Sequence, residues 1–390
     1  MIRESSSWAT VPPAAGRVSP TAPVRRPLRS VVLRVLLLVL AVLVFAASGL
    51  LLLLLVGNDT GAIGLLAGVV FAAVPVFVVV PCLLWLDRFE AEPAGLVVFA
   101  FAWGAVVATF TALVVNSYSL VLLERAGGDL TAAAVLVAPW VEETCKGSVL
   151  LLVLLWRRRE FDGVVDGIVY AGLAGAGFAF TENVLYLGRA LQESGTAGLA
   201  VTFVLRCLFG PFAHPLFTMA IGIGLGVAVT TRRRWVRFSA PVVGWLCAVL
   251  LHAMWNVSAV AGLRGFVSAY VAVQVPIFVL AVGFALWARR REGRLIEQHL
   301  GVYASTGWLT PGEVAMLASA RERRRAQAWA RSVRGRSGVR AMRRFQATGT
   351  DLAFLRARVA RDAAPSQAPQ DERELLRRLA VHRYGFVPER

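Results

Sequence analysis

Eight apolar stretches alternate with short polar segments between residues 33 and 288. They cover 33–56, 62–86, 95–121, 131–156, 164–187, 199–230, 239–262 and 266–288. The hydrocarbon core of a bilayer is about 30 Å thick and takes roughly 20 apolar residues of helix to cross. The pattern therefore predicts an all-α fold, a polytopic transmembrane helical bundle of about eight spans with a basic helical tail. The first run is too long for the apolar region of a signal peptide, and no small-residue cleavage site follows it, so it is expected to stay in the protein. No repeat of fixed period is visible.

The flanks are a different material. Residues 1–32 are rich in Pro, Ser and Arg without periodicity, which predicts a disordered arm. Residues 289–390 hold 22 arginines against 10 acids, a net of +12. Within them Thr310-Pro311-Gly312-Glu313 reads as a helix start, with Thr as N-cap, Pro at the first position and Glu at the third. A helix over about 311–331 should follow. Further helices are expected near 339–361 and 371–383, with a linker at 363–370.

Composition sharpens this picture. The chain is 57% hydrophobic and 17% charged, with a formal net charge of +17 and a mean hydropathy of +0.65. Soluble domains are about 45–50% apolar and about 25% charged. Arginine clusters mark one side of the membrane: Arg157, Arg158 and Arg159; Arg232, Arg233, Arg234 and Arg237; and Arg289, Arg290 and Arg291. The alternate loops carry only Arg125, Arg189 and Arg264. Arginine accumulates on the cytoplasmic side, which places both termini there, in the plasma membrane. An even number of spans agrees with that. The basic tail is expected to meet anionic lipid; a protein partner or RNA would explain the same charge less simply, and no nucleic acid is expected. Cys82, Cys145, Cys207 and Cys247 all fall in apolar segments and read as small buried residues without a disulfide framework.

Against this background the polar residues inside the spans stand out, because a charge at the bilayer centre costs several kcal/mol, about 3 on insertion scales. Span four carries Glu142, Glu143 and Lys146, the only lysine in the chain. Lys146 lies at i+4 and i+3 from the two acids, so either carboxylate can pair with it on one helix face. The other would then be left without a counter-ion and able to act as a base. Span five carries Glu182, placed nearer the outer face, and Asn183, after the glycines Gly172, Gly175 and Gly177 that allow close helix approach. Span six carries Arg206, a natural counter-ion for one glutamate, and His214, with Pro211 expected to kink the helix. Span seven carries His252 and Asn256, which share a face at i, i+4. Elsewhere only the uncharged Asn116, Ser117 and Gln274 are notable.

A carboxylate that takes a proton from water, a histidine that orients that water, and His252 with Asn256 donating to an oxyanion would suit peptide hydrolysis. No serine or cysteine sits in a nucleophile–base pattern, and no H-E-x-x-H motif occurs. Two histidines and a glutamate can bind zinc, so a metal at His214, His252 and Glu182 stays open, although no cofactor is favoured because Lys146 would compete for the carboxylates. The same polar groups would also serve a proton-coupled transporter or remain in a non-catalytic membrane scaffold.

Taken together, Glu142-Glu143-x-x-Lys146, Phe178-Ala179-x-x-Glu182-Asn183, His214 with Phe217, and His252-x-x-x-Asn256 resemble the PrsW intramembrane proteases. These are distant relatives of the type II CAAX prenyl endopeptidases within the CPBP group. The loop Asp87-Arg88-Phe89-Glu90-Ala91-Glu92-Pro93 is similar to that family's acidic–arginine–aromatic loop. The resemblance covers about residues 60–290. It implies a glutamate-dependent protease, with Glu142 or Glu143 as base, Glu182 and His214 assisting, and His252 and Asn256 at the oxyanion. Lys146, Asn183 and Arg206 would support them. Such families have been described both as metalloproteases and as glutamic peptidases. Relatives with CAAX activity more often carry histidine where this chain has Glu182, which argues against prenyl-protein processing. The best-known substrates of the resembling proteases are single-span anti-sigma factors, cleaved on the outer side in a first, site-1 step.

Overall fold

The computed structural model describes residues 28–87, 89, 92–157, 160–361 and 367–387, with side chains from Val35 onward. Expectations for residues 1–27, for Arg88, Glu90 and Ala91, for Arg158 and Arg159, and for 362–366 lie outside the described residues. Every long element among the described residues is a helix, and the fold is all-α. They form two compact units. One holds residues 28–86 and 92–285; the other holds residues 286–387 together with Asp87 and Phe89.

The first unit begins with α1 (Leu28–Leu86), whose 59 residues are interrupted at Gly61, with φ 63 and ψ 170. At 1.5 Å per residue an unbroken helix of that length would reach about 88 Å, far beyond one bilayer. A left-handed φ is open to glycine at little cost, so the break falls where the apolar pattern placed a loop. The helix already starts at Leu28, inside the stretch expected to be irregular, because no breaker follows Pro27.

α2 (Ala94–Arg125) contains a π-helical turn at Trp103–Ala108. A short turn at Leu130–Ala132, capped by the Asp129 carboxylate, and a second π-helical turn at Ala133–Val137 lead into α3 (Ala138–Trp156). α4 (Val164–Phe203) follows, with a break at Gly195. Then come α5 (Ala213–Thr230), α6 (Arg234–Val260) and α7 (Gly262–Ser305).

The expected single span over 199–230 is divided. A π-helical turn at Val204–Phe209 ends at Gly210, and α5 begins only at Ala213. Pro211 has no N–H to donate and its ring crowds the preceding turn; with Gly210 beside it, the backbone leaves the helix rather than merely bending.

Five stretches are long and apolar enough to cross a membrane by length and composition: Val35–Leu86, Ala94–Arg125, Val164–Thr230, Arg234–Val260 and Gly262–Ser305. The three charges of α3 keep it outside that group. Large apolar side chains point outward, such as Phe77 at 78% exposure, as hydrocarbon rather than water requires. Inside, the glycine-rich run of α4 allows backbone contact. A Cβ on Gly175 would sit 2.6 Å from the His214 carbonyl oxygen, and one on Gly177 2.0 Å from that of Phe101. The small residues thus bring α5 and α2 against α4 at the depth where the polar groups lie.

The second unit adds α8 (Pro311–Ala318), α9 (Ala320–Ala360) and α10 (Ala368–Tyr384). The expected capping box is present: Glu313 N donates to Thr310 Oγ1 at 3.1 Å, and Thr310 N to Glu313 Oε2 at 2.8 Å. The helix expected over 311–331 instead stops at Ser319, whose extended backbone starts α9 and whose hydroxyl caps it. α9 reverses at Arg334 and Gly335, where Gly335 has φ 59, between the two helices expected there. Most of its arginines are exposed, Arg323 being buried, while Leu300, Leu317, Met342, Phe345, Leu352 and Phe386 fill a core. Glu313 and Arg383 form a buried two-bonded pair at 2.7 and 2.8 Å.

Candidate functional site

The polar groups of α3, α4, α5 and α6 converge in the first unit. Pro139 in the first turn of α3 fits a position whose N–H needs no partner, and one turn later the helix presents Glu142, Glu143 and Lys146. All three are buried, Glu143 and Lys146 completely.

The two adjacent carboxylates have different surroundings. Glu143 is held from three sides. Lys146 Nζ lies 2.6 Å from its Oε1, His252 Nδ1 lies 2.9 Å from the same oxygen, and Thr218 Oγ1 donates to its Oε2 at 2.9 Å. Glu142 receives one hydrogen bond, from Asn116 Nδ2 to Oε1 at 3.2 Å. Its Oε2 lies 3.7 Å from both Lys146 Nζ and His252 Nε2 and is buried with no hydrogen-bond partner among the described residues. Buried polar atoms without partners are rare and call for an explanation.

The histidines are fixed in turn. A carboxylate can only accept, so in its neutral form His252 carries the proton on Nδ1, toward Glu143, and Nε2 is then an acceptor toward Glu142. His214 Nε2 lies 2.8 Å from Glu182 Oε2, and its Nδ1 lies 3.1 Å from the Lys146 ammonium. Both of its ring nitrogens are therefore engaged. The two rings are 5.1 Å apart, edge to face, and Phe217 stacks on His252 at 5.3 Å. Glu182 is paired with Arg206, whose Nε donates to Asn183 Oδ1 at 2.8 Å. Asn256 Nδ2 donates to the Ala134 carbonyl at 2.8 Å, within the π-helical turn before α3.

A cavity of about 530 Å³ opens on this cluster. Its walls include Asn116, Glu142, Glu182, Arg206, His214 and Asn256, whereas Glu143, Lys146, Thr218 and His252 do not line it. Sequence reasoning assembled most of this set but missed Thr218, since a threonine in an apolar helix carries no signal of its own. Asn116 was visible as an uncharged polar residue in span three, without an assigned partner.

Glu142, His214 and His252 bring donor atoms within 4.8 Å of one another, a two-histidine, one-carboxylate set of the kind zinc accepts. The sequence had grouped the same histidines with Glu182. Charge and hydrogen bonding oppose a dication in this arrangement. Lys146 brings its ammonium to 3.1 Å from His214 and 3.7 Å from Glu142, and His214 has no nitrogen lone pair left. The residues present do not fit a resident metal unless Lys146 moves.

Long apolar helices around a buried carboxylate–histidine cluster define an integral membrane protein with ionisable chemistry inside the bilayer. Comparison with known proteins gives the family. The model of the PrsW family intramembrane metalloproteases matches residues 92–281, which span every residue of the cluster. Protease PrsW of Oceanobacillus iheyensis is 34% identical over 151 residues, 39% of this chain and 63% of that protein. The Geobacillus kaustophilus protein of the same name is 32% identical over 160 residues, 40% of this chain and 66% of that protein. For Protease PrsW of Bacillus subtilis the figures are 30% over 168 residues, 42% and 67%. The chain thus spans about two thirds of the length of these relatives, slightly less for the first two. It belongs to the PrsW family. No solved structure matches it significantly.

Proposed function

We propose that the chain is an intramembrane endopeptidase that hydrolyses peptide bonds of membrane proteins with water activated by Glu142. The observation that carries this reading is the division of labour between neighbouring carboxylates. Glu143 is closed by Lys146, His252 and Thr218, while Glu142 lines the cavity and keeps one oxygen without a hydrogen-bond partner among the described residues.

The mechanism rests on the donors and acceptors. Glu142 Oε2 and His252 Nε2, 3.7 Å apart, are both acceptors, so one water can donate to both and turn a lone pair outward. Glu142 takes the water proton as the carbonyl carbon is attacked and returns it to the leaving amine. Asn256, with one amide hydrogen on Ala134 and the other free to point into the cavity, stabilises the oxyanion. Glu182, paired with Arg206, orients His214, and Asn183 holds Arg206 in place. No step requires a metal; a zinc-dependent reaction is the alternative.

The substrate class proposed is a single-span membrane protein such as an anti-sigma factor, in the plasma membrane, with both termini of the protease cytoplasmic and the arginine-rich tail against anionic lipid. A proton-coupled carrier is the second reading, since buried Glu, Lys and His also form relays.

The test uses the full chain purified in lipid with candidate single-span proteins, with and without a chelator. Cutting that survives chelation and disappears in Glu142→Gln is expected. Cutting lost on chelation and restored by zinc would overturn the metal-free mechanism, and proton-coupled transport without any cutting would overturn the protease reading.

A further inference from the structure

The membrane-crossing unit holds a second cavity that the proposed mechanism does not use. It encloses about 260 Å³ between the π-helical turn after α4, the start of α5, and helices α6 and α7. Its walls carry six aromatic side chains: Phe209, Phe212, Phe217, Trp255, Tyr270 and Phe278. It shares a boundary with the cavity that holds Glu142. Trp255 lines both, and Asn256 after it lines the Glu142 cavity; Ala213 lines the second cavity, and His214 after it lines the first. Phe217, in the aromatic wall, is the ring that stacks on His252.

Gln274 brings an amide into this aromatic wall. Its Nε2 donates to Ser258 Oγ at 3.0 Å, and Ser258 Oγ gives its own hydrogen to the Trp255 carbonyl at 2.7 Å. A hydroxyl has one hydrogen, so the amide must present its nitrogen to Ser258. Gln274 Oε1 is buried with no hydrogen-bond partner among the described residues, an uncommon state for a buried acceptor. The Phe209 carbonyl nearby is already engaged by Tyr270 Oη at 3.0 Å. Two π-helical turns, Val204–Phe209 and Tyr270–Gln274, supply Phe209, Tyr270 and Gln274 to the pocket, and turns of this kind recur at functional sites.

The walls select the occupant. A dry apolar cavity of about 150 Å³ is enough to take benzene, so this one has room for a larger ring. Leu208, Phe209 and Met254 are exposed, so the pocket opens on the side that hydrocarbon covers, from which a membrane segment arrives. A lipid chain or a leucine side chain would fill the space and leave Gln274 Oε1 unpaired. An aromatic side chain with its own donor, tryptophan or tyrosine, fills the space, packs on the aromatic wall and supplies the missing hydrogen.

We infer that this pocket is a specificity subsite, which receives a tryptophan or tyrosine side chain of the substrate's membrane segment beside the bond to be cut, with Gln274 Oε1 as its acceptor. The inference rests on the proposed protease reading for the role of the subsite, and not for the binding itself.

The test uses the full-length protein in nanodiscs, with empty nanodiscs as the blank. Two probes are followed by fluorine NMR: a fluoroindole, which has the donor, and a fluoronaphthalene, which has a similar shape without it. Wild type should bind the indole on the order of fivefold more tightly, the scale of one net hydrogen bond. Gln274→Met, which keeps the length and loses the acceptor, should bind the two probes equally. Val273→Trp, which fills the pocket from α7, should bind neither. Equal affinities in wild type, or an indole preference that survives Gln274→Met, would overturn the acceptor role. Indole binding that survives Val273→Trp would overturn the pocket as its site. Phospholipid that co-purifies with wild type, excludes the indole and is lost from Val273→Trp would make this an acyl-chain site and overturn the inference. In cleavage, a substrate with tryptophan beside the cut bond should have a KM several-fold below that of its phenylalanine counterpart, and Gln274→Met should remove the difference. Cutting without that difference would overturn the subsite role. If wild type cuts nothing, the protease reading fails, while probe binding still decides the pocket.

Discussion

Both units bury charge, and they do so to opposite ends. In the tail unit the buried charges close on themselves: Arg383 and Glu313 meet through two hydrogen bonds, and Arg323 is taken up by two carbonyls and a hydroxyl. In the membrane-crossing unit Glu143 is closed in the same way, but Glu142, its neighbour in sequence, keeps a buried oxygen without a hydrogen bond beside a cavity. Closed pairs hold a shape. An open acceptor inside a membrane is retained at an energetic disadvantage, for which the proposed activation of water supplies a reason.

Substitutions can break this comparison at graded cost. The largest effect is expected for Lys146→Met, which leaves Glu143 as a buried charge without its cation. Removing one partner of a buried pair costs about 3–5 kcal/mol, so the thermal unfolding midpoint in detergent should drop strongly and turnover should vanish. Arg383→Ala leaves Glu313 in the same position within the tail, at about 3 kcal/mol; fluorescence of Trp308 and Trp329 should report early unfolding of that unit while the membrane-crossing unit keeps its midpoint. Gly177→Ala drives a methyl toward the Phe101 carbonyl, overpacking worth about 1–3 kcal/mol, which thermal unfolding should detect. The smallest effect belongs to exposed Arg340→Ala, within about 0.5 kcal/mol in stability. Vesicle binding should still weaken by about 1 kcal/mol when the lipid is anionic, and not when it is neutral.

The sequence disclosed the two units unequally. Hydropathy located the apolar helices because hydrocarbon demands long uninterrupted runs, and it placed the breaks near Gly61 and Pro211, though a kink was expected where the helix is interrupted. It also identified the ionisable residues, since charges in apolar runs are conspicuous. It could not tell the surroundings of Glu142 and Glu143 apart: both lie three or four residues from Lys146, and the difference comes from Thr218 on α5 and His252 on α6. The tail's core was hidden for another reason. Phe345 and Met342 sit among arginines whose charge masks a sparse apolar stripe, and the core includes Phe89, more than 200 residues away.

The most direct test of the account sets Glu142→Gln against Glu143→Gln in the purified protein, with cleavage rate and thermal midpoint measured on each. Glu142→Gln should lower kcat by about 10²–10⁴-fold, the scale of lost general-base catalysis, with the midpoint unchanged. Glu143→Gln should lower the midpoint, because it weakens the contacts to Lys146 and His252. A Glu142→Gln enzyme that keeps most of its activity, beside an inactive Glu143→Gln protein of unchanged stability, would contradict the account and make Glu143 the base.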